Sequence, residues 1–187
     1  MFFKKKINPF TRTYSRHEKL LFRFLRHNML MADLTDDELA LFVPHLYERR
    51  YAKNEVVFFR NDPAQAFYIV KSGYVQLTLD LEDKFEQLVV LSSHDFFGES
   101  GLFNNMTRVY NAFANVDNTE LYVIPRINLM EIFEANDKIK AKIMSAMAYM
   151  LIEQKRKLFN AYRETFTFFD LGTAYNREDF GVDRPPA

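Results

Sequence analysis

The sequence predicts a mainly β fold, a sandwich or jelly roll, carried between helices. Three observations predict it. Val75, Leu77, Leu79 and Leu81 alternate with Tyr74, Gln76, Thr78 and Asp80, the period of two of a half-buried strand. Further short β-rich runs recur between turn residues at 56–59, 67–70, 88–91, 110–115 and 121–124. Outside 51–125 the apolar period is helical instead, and no strand-helix-strand alternation calls for a doubly wound sheet.

The first helix is set by a capping box. Ser15 stands three residues before Glu18, so hydroxyl and carboxylate satisfy each other's backbone N–H groups and start a helix over 16–28. Tyr14, Leu20, Leu21, Phe24 and Leu25 give it an apolar face, while Arg16, Lys19, Arg23 and Arg26 populate the rest. Thr35 and Glu38 repeat the box, and Leu39, Phe42, Val43 and Leu46 extend a stripe that predicts a second helix over 36–47. After the strands, Leu129, Ile132 and Phe133 share a face of a short helix, 127–136. Asn136 or Asp137 then caps a long one, 138–160, striped by Ile139, Ile143, Met147, Met150, Leu151 and Leu158. The expected organisation is a basic arm (1–14), one domain (15–164, with strands over 51–125) and an aromatic tail (165–187) that ends in Pro185-Pro186.

Composition narrows the function classes. The 187 residues are 48% hydrophobic with twenty Phe, enough for a packed core. Formal net charge is zero, so no global field draws nucleic acid. Residues 1–30 nevertheless carry a net +7 and the remainder −7. The basic start reads as a solvated face that pairs with the acidic body, and a membrane-surface role is not expected. The absence of cysteine excludes disulfides, thiol catalysis and Cys-ligated metal. His17, His27, His45 and His94 lack metal-ligand spacing, and no G-x-S-x-G or P-loop occurs, so an enzyme is not expected. No apolar run reaches membrane-span length and the N-terminus lacks a signal peptide's order, which together point to the cytoplasm.

The segment that carries chemistry is Phe96-Phe97-Gly98-Glu99-Ser100-Gly101-Leu102-Phe103, followed by Thr107-Arg108-Val109-Tyr110-Asn111-Ala112. It resembles the phosphate-binding cassette of the cyclic-nucleotide-binding domain family, which includes catabolite-activator/FNR-like sensors, protein kinase A regulatory subunits and nucleotide-gated channels. The turn Asn61-Asp62-Pro63-Ala64 and the hairpin Phe67-Tyr68-Ile69-Val70-Lys71-Ser72-Gly73 resemble the family's landmarks in the same order. The resemblance implies a double-stranded β-helix, a cupin-like β-roll, and a site for a cyclic nucleotide, cyclic AMP by preference. Gly98, Glu99, Ser100, Gly101, Arg108 and Val109 would form it. The chemistry agrees. A glycine-opened turn offers backbone N–H groups to an anion, Glu99 can accept from a ribose hydroxyl, and the Arg108 fork matches two phosphate oxygens. No cofactor or metal is implied.

Departures from the family's pattern make their own predictions. Asn54, Asn61 and His94 stand where the family usually has turn glycine, and Asn and His are the side chains that best tolerate positive φ. Tyr110 is bulky for a strand position on the pocket wall. The alternative reading of Glu99 and Arg108 is accordingly an ion pair closing a vestigial pocket in a scaffold protein. A catabolite-activator-type regulator is less expected, because residues 165–187 are too few for a helix-turn-helix reader, and direct DNA binding is not expected. The long helix predicts a homodimer whose seam includes Met147, Leu151 and Leu158.

Overall fold

The computed structural model describes residues 13–81 and 84–165. Two compact units part between Met147 and Ala148. The first holds helix α1 (Arg16–Arg26), the single-turn α2 (Asp36–Leu39), eight strands, α3 (Arg126–Ala135) and the start of α4 (Asp137–Thr165). The strands are β1 (Tyr47–Tyr51), β2 (Val56–Phe58), β3 (Ala66–Ser72), β4 (Val75–Leu81), β5 (Lys84–Leu91), β6 (Phe96–Phe97), β7 (Asn111–Ala114) and β8 (Thr119–Pro125). They form two four-stranded sheets in the orders β1-β8-β3-β6 and β2-β7-β4-β5, with every pairing antiparallel. This is the expected jelly roll. Phe58, Val70, Val75, Leu77, Phe97, Tyr110, Ala112 and Leu121 fill the space the two sheets enclose.

Local sequence chemistry accounts for most boundaries. Both capping boxes close in both directions: Ser15 with Glu18, and Thr35 with Glu38. Asn54, Asn61 and His94 all sit at positive φ (66°, 70° and 77°), as glycine substitutes must in these turns. Gly73, at φ +79°, lies so close to Thr119 that a Cβ would come within 2.7 Å of its Oγ1. That glycine turns the β3–β4 hairpin.

Three expectations are corrected. The helix predicted over 36–47 stops at Leu39 and is followed by a 3-10 turn, Val43–His45. Pro44 explains it, since proline has no N–H for the ladder and its ring clashes with the carbonyl four residues back. Strands begin at Tyr47 instead of 51, because β1 is an edge strand whose polar sequence acquires strand identity by pairing with β8. α1 ends at Arg26 and buries Phe22 and Leu25, leaving Leu20 exposed. On α4, Ile139, Ile143, Met147 and Met150 are buried, and Leu151 and Leu158, the other residues of the stripe, are exposed. The short arm before residue 13 and the aromatic tail after 165 lie outside the described residues.

Candidate functional site

The cassette is a tight turn docked on β3. Gly98, at φ +74°, opens a 3-10 turn over Glu99–Leu102, and the Gly101 N–H donates to the Gly98 carbonyl at 2.9 Å. Only glycine fits at 101, because a Cβ there would lie 2.4 Å from the Ala66 carbonyl oxygen. The 61–64 turn faces the cassette's second limb. The Asn61 N–H donates to the Arg108 carbonyl and the Arg108 N–H to the Asp62 carbonyl, both at 2.9 Å, while Pro63 bridges to Thr107. Asp62 stabilises its own turn by accepting from the Phe59 N–H at 2.8 Å. Landmarks that stand far apart in sequence thus brace one another.

Arg108 is the most unusual group of the fold: a cationic side chain only 2% exposed. Its guanidinium donates from Nη1 to the Gly98 carbonyl at 2.9 Å and from Nη2 to the Ala66 carbonyl at 2.7 Å. It also stacks over the Phe58 ring, 4.2 Å from the centroid, with Tyr68 at 5.4 Å. These contacts with neutral dipoles and ring faces replace part of its hydration. They do not replace an anion. Its Nε, buried, has no hydrogen-bond partner among the described residues. Burial is the foremost cause pulling the Arg108 pKa below its ordinary value, with Tyr68, Tyr110 and Glu99 acting against it.

The ion pair between Glu99 and Arg108 that the alternative reading requires is not formed. Glu99 instead accepts from the Tyr110 hydroxyl at 2.6 Å, and that same hydroxyl accepts from the Gly98 N–H at 2.7 Å. One phenol oxygen therefore satisfies both the backbone donor and the carboxylate that sequence reasoning assigned to a ligand. Burial first, and the neighbouring carboxylate second, push the Tyr110 pKa well above the usual phenol range, so the group is a neutral O–H donor. Burial raises Tyr68 as well, and pushes Tyr51, at the edge of the same core, up to about 12.

The other expected site residues divide. Ser100 and Gly101 are buried in the turn, whereas Val109 is 53% exposed. Asn111 turns to separate work. It donates to Asp80 and accepts from the Arg60 N–H, both at 2.8 Å, tying β7 to β4 and to the segment after β2. Sequence reasoning missed Phe58 and Ala66, which hold the guanidinium from 50 and 42 positions away. Neither a backbone carbonyl nor a core phenylalanine leaves a local signal. Among the described residues no cluster of His, Cys, Asp or Glu could hold a metal ion.

Comparison with known proteins agrees with this geometry. Residues 48–136 match the cyclic nucleotide-binding domain family. A cyclic AMP receptor protein of Thermus thermophilus is 26% identical over 135 residues, covering 72% of this chain and 62% of the receptor. A cGMP-dependent protein kinase of Caenorhabditis briggsae is 24% identical over 127 residues, covering 67% of this chain and 17% of the kinase. The chain thus spans less than two thirds of either relative. The N-terminal domain of a Streptomyces coelicolor transcriptional regulator superposes with a TM-score of 0.63 at 24% identity, covering 72% of this chain and 94% of that domain. The matched segment is a regulatory module, and it contains the cassette turn, the 61–64 brace, Arg108 and both sheets. Through residues 48–136, just under half of its length, the chain matches the cyclic nucleotide-binding domain family.

Proposed function

We propose that the chain is a sensor that binds a cyclic nucleotide in signal transduction, with no catalytic activity of its own. The phosphate is held by Arg108 and the Gly98–Gly101 backbone, and the ribose by Glu99. The observation that carries the reading is the Arg108 guanidinium, buried under a glycine turn with an unpartnered Nε and no ion pair to a carboxylate among the described residues. A phosphate monoanion at that turn supplies the missing negative charge. The family match and the printed names of the relatives, a cyclic AMP receptor and a cGMP-dependent kinase, support the ligand class. Cyclic AMP is preferred over cyclic GMP because Val109 offers no hydroxyl to a guanine. No further cofactor and no direct DNA contact belong to this reading. Among the described residues no helix is long and apolar enough to cross a membrane, and the proposed location is the cytoplasm.

A specific observation favours a second reading. Tyr110 already takes the Gly98 N–H and the Glu99 carboxylate, as it would in a scaffold that keeps the roll and binds no nucleotide. Calorimetric titration with each cyclic nucleotide separates the two. Saturable heat with either supports the sensor. No heat at millimolar concentration, in the wild type and in Tyr110→Phe alike, leaves the scaffold.

Assembly through α4 belongs to the same proposal. Met147 is 2% exposed and already packed within its own chain, whereas Leu151 (48%) and Leu158 (63%) are open, beside Tyr149 and Ile152. A two-fold seam therefore draws on the exposed set more than on Met147. Light scattering is expected to give twice the chain mass at micromolar concentration, and Leu151→Glu with Leu158→Glu is expected to return it to the monomer. A wild-type monomer under those conditions removes the dimer.

A further inference from the structure

We infer that Tyr110 is a built-in competitor for the cassette, a side chain that a cyclic nucleotide must displace and that therefore sets the affinity of the site. The inference rests on the reading that the cassette takes such a ligand. Its basis is the double engagement of one hydroxyl. The Gly98 N–H, one of the cassette's backbone donors, donates to Tyr110 Oη at 2.7 Å, and Oη donates to Glu99 Oε2 at 2.6 Å. Phosphate and ribose would need the same two groups. The Tyr110 ring is seated in the roll's core beside Phe58, at 5.8 Å between centroids, and its hydroxyl occupies the single Gly98 N–H and one oxygen of Glu99.

Two features make this closure reversible rather than a permanent plug. Tyr110 lies just ahead of β7 and outside its ladder, next to exposed Val109, so its backbone is not fixed by strand pairing on both sides. The closed arrangement also leaves Arg108 with no carboxylate at ion-pair distance among the described residues, only the longer-range attraction of Glu99. Arg108 is desolvated, its Nη1 and Nη2 donate to carbonyl oxygens, its plane lies over the Phe58 ring, and its Nε has no partner among the described residues. Ligand entry exchanges the phenol's two hydrogen bonds for ion pairing at Arg108. The apparent dissociation constant is then the intrinsic one divided by the fraction of molecules in which Tyr110 has moved away. Tyr110 has the role of a positioning residue, acting on the ligand through Glu99 and Gly98.

The test is calorimetric titration of the full chain with cyclic AMP and cyclic GMP, for the wild type, Tyr110→Phe and Tyr110→Ser, with thermal melts of all three. Tyr110→Phe keeps the ring and loses both hydrogen bonds, one of them to a carboxylate. It is expected to tighten binding by at least about ten-fold, the scale of one charge-assisted hydrogen bond. Tyr110→Ser also removes the ring and should tighten further if it folds. If it does not, the Phe variant carries the test. Equal affinity in the wild type and Tyr110→Phe overturns the competitor while leaving the sensor standing. Weaker binding in Tyr110→Phe makes Tyr110 a ligand contact and overturns it too. No binding by any folded variant overturns the sensor reading and this inference together.

Discussion

Arg108→Met is expected to weaken cyclic-nucleotide binding by at least about thirty-fold while changing the stability of the free protein little. Methionine retains most of the buried stem beside Phe58 but removes the cation that the phosphate would meet. A charge-assisted hydrogen bond lost inside a partly dry site costs about 2 kcal/mol, which is about thirty-fold in affinity. On stability two effects oppose each other. The Ala66 carbonyl loses the Nη2 donor at 2.7 Å, and an unsatisfied buried carbonyl costs about 1–3 kcal/mol. In return the variant no longer desolvates a guanidinium that has no anionic partner, and replacing buried charge by apolar volume is often neutral or favourable. The Gly98 carbonyl keeps its bond from the Gly101 N–H. The net expectation is a shift within about 1 kcal/mol by chemical denaturation. Arg108→Lys should bind poorly as well, because an ammonium cannot reproduce the fork. If Arg108→Met binds normally, the phosphate does not sit at this residue. If instead the protein loses several kcal/mol of stability, Arg108 is a strut of the roll and not a ligand group.

Gly101→Ala is expected to have the largest effect on folding of any single methyl addition in the cassette. The new Cβ would stand 2.4 Å from the Ala66 oxygen and 2.9 Å from its carbonyl carbon, distances no side-chain rotation can relieve because both partners are backbone. Either the Glu99–Leu102 turn lifts off β3 or β3 distorts. Overpacking of this kind costs about 1–3 kcal/mol, and more where backbone must move. For a chain of this length that corresponds to a melting temperature lower by about 4–8 °C if the cost is about 2 kcal/mol. The Ala66 carbonyl also receives Arg108 Nη2, so a shift at β3 should disturb the guanidinium and reduce ligand affinity together with stability. Gly98→Ala makes an informative contrast. Its Cβ would meet the side-chain atoms Arg108 Nη1 at 2.7 Å and Tyr68 Cδ2 at 3.0 Å instead of backbone, although φ +74° adds strain of about 1 kcal/mol. Its loss of stability should be the smaller of the two. A Gly101→Ala protein with an unchanged melting temperature would show that the turn is not seated on β3.

The features legible in the sequence share one property: each depends on residues a few positions apart. The capping boxes at Ser15 and Thr35 read correctly because hydroxyl and carboxylate meet within a single turn. Asn54, Asn61 and His94 read correctly because the need for positive φ is local to a turn. The β4 alternation read correctly at Val75 and Leu77, which are buried, and failed after the register shift that follows Leu77, where Thr78 is buried too. Failures appeared where pairing partners decide the outcome. The Tyr47–Tyr51 segment has no apolar alternation and is a strand only because β8 lies beside it. β6 is two residues long, too short to carry any period, and exists through its register with Tyr68 and Ile69.

The candidate site divides along the same line. The resemblance to a known family, carried by a nearly contiguous motif, was what placed a glycine turn, Glu99, Arg108 and Tyr110 in one cassette on a β-roll. Only the tertiary structure decided what those groups do to one another. Glu99 was expected to meet Arg108 or a ribose and meets a phenol, while the Arg108 fork turns to Gly98 and Ala66 over the face of Phe58. The physical reason is that a buried polar atom takes whichever partner the surrounding strands bring within about 3 Å, and those strands are far away in sequence. Tyr110 reaches the Gly98 amide across twelve positions because β7 and β6, in opposite sheets, converge on the same core.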